Sequence, residues 1–421
     1  MTSALITAPV GGDPAAAPER LADRLAGGPP VTIGSGGLRD LIAHIDAGVL
    51  DRDREDRPPV AEFELIRAAR LGALRLPVEQ GGGGATVAEL FATVVDIAAA
   101  DPDVAHSLRN HFQINERLIR RPHATNERWF DRTRAGDLFG LASSELSTLR
   151  AGVRDATYES TIVATADGLR LNGVKYYSTG NLYVQWLLAG ALGPEDTPVQ
   201  LVVSATAPGV LVDDDWDGIG QRFTGSGTTR FVDVAVSRDD YLEGSLYGDL
   251  PYGATFPQLY LTAIIAGILR RATREAAALV RGKERSFYHG VTERPADDPI
   301  VQESVGYLAA AASVAESAVL AAADALGAAT DAHGTDAEYG LALQASLQSA
   351  KAKIVVDELG LRATSSLYDV AGGSAVRRVA QLDRHWRNIR TLASHNPRTH
   401  KARWVGNHEI NGEPLPTGAF F

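Results

Sequence analysis

Sulfur is nearly absent from this sequence of 421 residues, which has no cysteine and a single methionine at its first position. The lack of cysteine excludes disulfide bonds, thiolate metal sites and a thiol nucleophile. Three explanations fit the missing methionines: drift in an alanine-, glycine- and arginine-rich genome, avoidance of side chains that a leaked peroxide would oxidise, and synthesis when sulfur is scarce. The last two explanations connect the composition with function.

Signals for nucleic acid binding, membrane insertion and export are missing as well. The net charge of −11 disfavours nucleic acid and anionic membrane surfaces as partners. The longest apolar stretch, YLAAAASVAESAVLAAADALGAA, is interrupted by Glu316 and Asp324 and predicts a buried helix. The first residues lack the basic start of a signal peptide and contain early Pro and Gly. We therefore expect a cytoplasmic protein with a flexible N-terminal arm over residues 1–37.

Motifs for nicotinamide nucleotides and metals are also missing. The glycine clusters GSGGLR, GIGQRF and GSGTTR do not have the spacing of a GxGxxG fingerprint. No HExxH motif or carboxylate–histidine cluster at ligand spacing occurs, so we predict no metal site. If the chain catalyses redox chemistry, the reducing equivalents should therefore come from elsewhere.

The pattern of the chain changes twice along its length. Apolar residues at three- and four-residue spacing predict a helical domain over residues 38–137. From 138 to 245, short segments rich in β-branched and aromatic residues alternate with turns, which predicts an antiparallel β domain. Long alanine- and leucine-rich segments predict a C-terminal four-helix bundle over residues 246–421. Strands and helices do not alternate, so the class is α+β rather than a doubly wound sheet.

Several short motifs, in this order, resemble the acyl-CoA dehydrogenase fold. They are LRLPVEQGGGGAT, FGLASSE, LRLNGVKYYSTGN and AGGSA, which begin at Leu74, Phe139, Leu169 and Ala371. The resemblance covers nearly all of the chain from residue 38 onward. It implies an N-terminal helical domain, a middle antiparallel β-barrel and a C-terminal four-helix bundle. It also implies a homotetramer, in which the bundle of one subunit completes the flavin site of the next.

The catalytic glutamate of the dehydrogenases has no counterpart here. The two positions where that family places its base read ASHNPRTH and PQLYLTA, without a carboxylate. Without a carboxylate at either position, flavin-coupled desaturation of an acyl thioester has no base to remove the α-proton. The segments WDGIGQRFTGSGTTRFVDVAV and RHWRNIRTLASHNP are instead similar to the two-component flavin monooxygenases of the dibenzothiophene monooxygenase type. That branch implies reduced FMN supplied by a separate NAD(P)H:flavin reductase, with FAD as the alternative, and a C4a-hydroperoxyflavin that oxygenates a small substrate.

The resemblance also implies the residues that bind the cofactor. Arginines bind phosphate in a forked geometry, although cations at a helix end also favour the helix dipole. Ser178 and Thr179 would donate to the flavin ring, or would only form a turn at a strand end. The full predicted set is Ser143, Ser144, Ser178, Thr179, Trp216, Arg281, Arg285, Gly372, Gly373, Arg387 and Arg390. Arg384, Arg387 and Arg390 could alternatively pair with acidic residues of the bundle.

Four residues are predicted to be catalytic. His395 would hydrogen-bond the flavin hydroperoxide and give it a proton, or would only cap the last helix. Ser178 would assist it. His111 and Asn115 are four residues apart, share a helix face and would point toward the substrate. We interpret His106 as incidental and His385 as an interface residue.

The substrate is the least determined feature of the sequence. The scarcity of sulfur favours an organosulfur compound, such as a sulfide, sulfone or sulfonate. An amine N-oxygenase of the same fold is the nearest rival. An FAD-dependent acyl-CoA dehydrogenase and a non-enzymatic helical interaction protein are two further candidate functions.

Overall fold

The computed structural model describes residues 18–121, 123–146, 158–242, 250–286 and 288–421. Seven helices precede the first strand within these ranges. They are α1 (Pro18–Ala26), α2 (Gly36–Glu55), α3 (Val60–Ala68), α4 (Val87–Ala100), α5 (Pro102–Ser107), α6 (Arg109–Arg120) and α7 (Glu127–Arg134).

Local capping fixes where several of these helices begin. The Ser35 side chain accepts a hydrogen bond from Leu38 N at the start of α2. Thr86 and Glu89 form a reciprocal capping box at the start of α4. Asp101 ends α4 and caps α5, and Pro102 occupies the first turn of α5. Each cap satisfies backbone N–H groups that have no partner inside the helix.

The prediction of a flexible arm is wrong for the part that the structure describes. Helix α1 lies inside residues 1–37, and Leu21, Leu25 and Val31 are buried against the rest of the N-terminal domain. Apolar residues four positions apart give this short helix one face to bury. Residues 1–17 of the predicted arm lie outside the described residues.

The middle of the chain forms one sheet of eight strands. The strands are β1 (Phe139–Ala142), β2 (Thr161–Thr165), β3 (Gly168–Lys175), β4 (Trp186–Leu192), β5 (Pro198–Ser204), β6 (Val210–Val212), β7 (Thr229–Val236) and β8 (Tyr241–Leu242). The strand order is β6-β7-β3-β2-β4-β5-β8, and β1 pairs with β4.

The prediction of a purely antiparallel barrel needs correction. Strand β1 runs parallel to β4, and β2 meets β4 in parallel through Thr161 and Leu192. In the part of the chain that the structure describes, β6 and β8 end the path of paired strands, and β1 branches from it at β4. Two-residue alternation indicates which face of a strand is buried, but it carries no information about the direction of its neighbour.

Five helices form the C-terminal part of the described chain: α8 (Thr255–Arg281), α9 (Pro299–Asp331), α10 (Glu338–Ser366), α11 (Asp383–Ser394) and α12 (Arg398–Asn411). Helices α8, α9 and α10 pack on one another, while α11 and α12 both pack on α10. The bundle therefore has three long helices and two short ones. Pro397 separates α11 from α12, as expected for a residue that cannot continue a helix.

Helix α8 also joins the bundle to the N-terminal domain, because it packs along α4. A Cβ atom at Gly267 would lie 2.6 Å from the Cβ of Ala98, so only glycine allows this approach. By length and composition alone, α9 could cross a membrane, although a core helix of a soluble protein passes the same test.

Candidate functional site

Residues near the middle of α11 form hydrogen bonds with the loop between β6 and β7. The side-chain oxygen of Asn388 accepts a hydrogen bond from Gln221 N at 2.7 Å. Arg387 Nη1 donates to the carbonyl oxygen of Ile219 at 3.0 Å. A Cβ atom at Gly220 would overlap the carbonyl oxygen of Arg387, so glycine is needed for this contact. The two sequence segments that resemble the oxygenase branch therefore meet in space.

Gln221 connects this junction to His106. The side-chain oxygen of Gln221 lies 2.9 Å from His106 Nδ1. The indole of Trp216 donates to the carbonyl oxygen of Gln221 at 2.9 Å and holds the loop from the other side. His106 is buried, and its Nε2 has no hydrogen-bond partner among the residues that the structure describes.

His106 is uncharged at neutral pH. Burial lowers its pKa to about 3, and the nearby Arg109 adds to this effect, while the bond to Gln221 opposes it. A buried imidazole with an unoccupied ring nitrogen is a candidate functional group. His106, interpreted as incidental from the sequence, is therefore included in the candidate site. Its only signal in the sequence was its place one turn before Arg109 and Asn110.

His395 lies beside Arg109. The Nη1 atom of Arg109 is 3.3 Å from His395 Nε2. The ring of Phe420 meets the imidazole edge-on, with centroids 5.7 Å apart. His395 is accessible to solvent although protein atoms surround it densely, as expected for a side chain that lines a recess.

The pKa of His395 is well below its usual value. The surrounding protein desolvates the charged imidazolium, and nearby cations act against it, Arg109 most strongly and Lys353 and Lys401 less. Its ring lies within hydrogen-bonding distance of a guanidinium, and the lowered pKa makes His395 a neutral hydrogen-bonding group.

The end of the sequence forms part of this recess, which sequence analysis did not predict. Asn396 Nδ2 and Lys401 Nζ both donate to the carbonyl oxygen of Phe420, at 3.0 and 2.8 Å. Gln258 Nε2 donates to the carbonyl oxygen of Ala419 at 2.9 Å. Helices α8 and α12 thus hold the last residues against His395. No local pattern in this coil segment indicates such a position.

The KYYSTG turn supplies a buried hydroxyl. Tyr177 has a φ of 55°, a left-handed conformation that is strained for a bulky residue. Ser178 follows it, and its buried Oγ has no partner in the described chain. Thr179 Oγ1 lies 2.9 Å from Ser226 Oγ. Asn110 Nδ2 donates to the carbonyl oxygen of Thr179 at 2.9 Å, so the turn is tied to the helix that carries Arg109.

The predicted hydroxyls of LASSE lie beside this turn. Tyr176 N donates to the carbonyl oxygen of Ser144 at 2.9 Å, which forms an isolated bridge. The next residue, Glu145, pairs with the buried Lys175 at 2.6 Å. The Ser143 side chain bonds to the Tyr158 hydroxyl. The bridge from Ser144 to Tyr176 therefore places the LASSE segment beside the turn that carries Ser178.

The predicted phosphate-binding features also meet. Arg281 and Arg285 are exposed at and just beyond the end of α8. Lys283 Nζ donates to the carbonyl oxygen of Ala371 at 3.4 Å, directly before the turn that contains Gly372 and Gly373. The arginine and glycine motifs thus form one surface of the bundle.

The structure does not support the predicted catalytic role of His111 and Asn115. His111 is fully buried and its Nδ1 accepts from Phe139 N at 3.1 Å. Its Nε2 is 3.0 Å from the carbonyl oxygen of Gly72, to which Asn115 Nδ2 also donates. Burial lowers the pKa of His111 to about 4. Both ring nitrogens are occupied, so these residues join β1 to the N-terminal domain.

The arginines of α11 divide between two roles. Arg384 and His385 both pair with Glu275 of α8, and those bonds help to hold the pKa of Glu275 far below its usual range against the opposing effect of burial. Arg387 pairs with Asp383 in addition to Ile219. Arg390 donates to Ser394 Oγ at 2.9 Å on its own helix. These contacts favour pairing within the bundle over direct cofactor binding for Arg384 and Arg387.

Comparison with known proteins agrees with this geometry. Residues 259–398 match the model of the acyl-CoA dehydrogenase C-terminal domain. The dibenzothiophene monooxygenase of Paenibacillus sp. A11-2, solved with FMN and indole, superposes with a TM-score of 0.82 at 28% identity, covering 96% of this chain and all of that one. The chain has the acyl-CoA dehydrogenase fold. The fold expected from the sequence motifs is confirmed, apart from the strand directions given above.

Relatives found by sequence belong to the oxygenating branch that the motifs resemble. The dibenzothiophene monooxygenase of Mycolicibacterium goodii is 29% identical over 412 residues, covering 90% of this chain and 94% of that protein. A probable FMNH2-dependent monooxygenase of Pseudomonas putida is 28% identical over 391 residues, covering 90% and 95%. These relatives confirm the expected resemblance to reduced-flavin monooxygenases.

The residues present fit a bound FMN. A flavin ring offers polar edges that need partners, and the buried Oγ of Ser178 and Nε2 of His106 both lack one within the described residues. The exposed Arg281 and Arg285 have the chemistry that a phosphate requires.

Proposed function

We propose that this protein is a reduced-FMN-dependent monooxygenase that transfers one oxygen atom from O2 to a small organosulfur compound, such as a sulfide, sulfone or sulfonate. The observation that carries this proposal is the recess around His395. Lowered pKa values keep His106 and His395 neutral, and the guanidinium of Arg109 lies 3.3 Å from His395 Nε2. Such a recess can stabilise reduced oxygen by hydrogen bonding, but it cannot remove the α-proton of an acyl thioester as a carboxylate would.

When bound, reduced FMN supplies the electrons that activate O2, and the protein supplies position and polarity. The Oγ of Ser178 would donate to the flavin edge, because it is buried beside the strained Tyr177 and has no partner within the described residues. Arg281 or Arg285 would bind the FMN phosphate. These assignments are supported by the chemistry and placement of the side chains.

Exclusion of water is the second task of the site, because water access wastes reduced oxygen as peroxide. Phe420 covers one edge of His395, and Asn396 and Lys401 hold its carbonyl oxygen. The last residues of the sequence would therefore act as an apolar wall. His395 would hydrogen-bond the reacting oxygen from inside this wall.

A separate NAD(P)H:flavin reductase is the proposed functional partner. The sequence has no GxGxxG fingerprint for a nicotinamide nucleotide. Free FMNH2 would therefore be delivered to this protein. The lack of sulfur in the sequence fits an enzyme that is made when sulfur is scarce.

A homotetramer is the proposed assembly. Ile300, Tyr307 and Val314 are exposed at seven-residue intervals along α9, so this side of the helix presents three large apolar side chains that the described residues leave uncovered. The phosphate surface at Arg281 and Gly372 lies on the same bundle. Association of bundles would bring that surface to a neighbouring subunit's flavin.

The test is a reaction with isotopically labelled dioxygen. We would load the protein anaerobically with FMNH2, add sulfides, sulfones, sulfonates and amines, and analyse the products by mass spectrometry. The expected result is one labelled oxygen atom in a sulfur-containing product. Labelled hydroxylamine or nitroso products would establish an amine N-oxygenase instead. Bleaching of bound oxidised flavin by an acyl-CoA would overturn the proposal in favour of a dehydrogenase.

A further inference from the structure

Arg109 lies beside His395 and lowers the pKa of both histidines of the site. It is the first residue of α6 and is buried, with its Nη1 3.3 Å from His395 Nε2. A guanidinium has only donors and keeps its charge in proteins. His395 Nε2 must therefore accept this hydrogen bond. The proton of the neutral imidazole then lies on Nδ1.

The backbone and its neighbours fix the orientation of the His395 ring. His395 ends α11, and its N–H donates to the carbonyl oxygen of Leu392 at 3.2 Å. Asn396 is held by Gln258 at 2.8 Å, and Phe420 packs against the ring. In the other neutral tautomer, the N–H of Nε2 would point at the N–H donor of the guanidinium, and no hydrogen bond could form. The structure contains no hydrogen bond to His395 Nδ1 among the described residues, so this atom remains available to the recess.

The titratable groups that most lower the pKa of His395 lie on four helices. Arg109 lies on α6, His106 on α5, Lys353 on α10 and Lys401 on α12. Lys353 is paired with the buried Asp357 at 2.7 Å. These groups disfavour a second proton on His395. The imidazole therefore has one N–H to offer across the neutral pH range.

We propose that Arg109 is a positioning residue that holds His395 as the neutral tautomer with its proton on Nδ1, so that His395 presents one fixed donor to the reacting oxygen. This inference deepens the proposed function and rests on it for the identity of that oxygen. It differs from the expectation that His395 hands over a stored proton. The proton consumed in the reaction would come from solvent or from the reduced flavin, with His395 orienting the acceptor.

The test is nitrogen NMR of the protein without flavin, labelled only at its histidine side chains. The His395 signals are assigned by their loss in His395→Gln. We expect the wild-type shifts of an Nδ1–H tautomer and no titration of His395 across the neutral range. In Arg109→Gln we expect a mixture of tautomers and a pKa of His395 that rises by about one pH unit, since a neighbouring cation is removed.

Arg109→Lys and Arg24→Gln are the matched variants. Lysine keeps a cation and a donor, so most of the Nδ1–H tautomer should remain. Arg24 forms an exposed ion pair with Asp40, and its replacement should leave the His395 signals unchanged. A wild-type protein with the proton on Nε2, or unchanged signals in Arg109→Gln, would overturn the inference.

A second readout separates this inference from the proposed function. Stopped-flow absorbance follows the reaction of FMNH2-loaded protein with O2 as a function of pH. Any step in rate that His395 causes should lie at higher pH in Arg109→Gln than in wild type, because a neighbouring cation is removed. If the wild-type protein never binds FMNH2, the proposed function fails, while the NMR result still decides the tautomer.

Discussion

At the scale of single residues, the hydroxyl of Ser178 is the group that most clearly needs a hydrogen-bond partner. Its Oγ is buried and lacks a partner in the described part of the chain. An unsatisfied buried hydroxyl costs about 1–3 kcal/mol, and a ligand that accepts its hydrogen bond recovers that cost. Ser178→Ala should therefore stabilise the flavin-free protein by up to about 1 kcal/mol. It should also weaken FMN binding by roughly tenfold, which corresponds to about 1.4 kcal/mol.

Thermal unfolding without flavin and fluorescence titration with FMN measure these two effects. Ser365→Ala is the control, because Ser365 is exposed on α10 and bonds only to the carbonyl oxygen of Leu361. That variant should bind FMN like wild type. Unchanged FMN affinity in Ser178→Ala would show that this hydroxyl does not meet the flavin.

His106 in α5 and His111 in α6 show what the sequence could not decide at this scale. They are five residues apart, which would place their side chains about 140° apart on one continuous helix. Helical spacing therefore separates them but does not tell which one faces the site. That choice depends on tertiary partners, namely Gln221 for His106 and Phe139 for His111. His395 could be recognised because it stands beside a helix stop.

The element that most affects the site is the segment after α12. Phe420 contacts His395, whereas the neighbouring Phe421 lies against Lys401, with Nζ 4.2 Å from the ring centroid. Phe420→Ala should open the recess to water and increase the hydrogen peroxide released per substrate oxygenated, by several-fold. Phe421→Ala should disturb the anchor but leave His395 covered, so its ratio should stay closer to that of wild type.

The measurement is the ratio of hydrogen peroxide to oxygenated product, with the same supply of FMNH2 for each variant. Equal ratios in wild type and Phe420→Ala would contradict the role of this segment as a wall. Sequence alone could not predict that role, because a coil without periodicity has no signature of its docking site. The helix limits around Asn396–Pro397 were predictable, since they follow from local backbone chemistry. Strand direction was not, because it depends on long-range pairing.

At the scale of the whole molecule, the property to be tested is the oligomeric state. Ile300, Tyr307 and Val314 are 69%, 71% and 51% exposed, which is unusual for three large apolar residues aligned on one helix. We expect a tetramer in light scattering. Charges on this side of α9, in Tyr307→Glu with Val314→Glu, should yield smaller species, because burial of unpaired carboxylates is costly.

Flavin binding should fall together with assembly, because Arg281 and Arg285 are proposed to reach a neighbouring subunit's flavin. The matched control is Val163→Glu, which adds a charge at an exposed position of β2 and should leave both assembly and FMN affinity unchanged. A smaller species with full FMN affinity would contradict the shared site. If the wild-type protein is a monomer, the proposed tetramer is wrong, and Arg281 and Arg285 would have to bind the flavin phosphate of their own subunit.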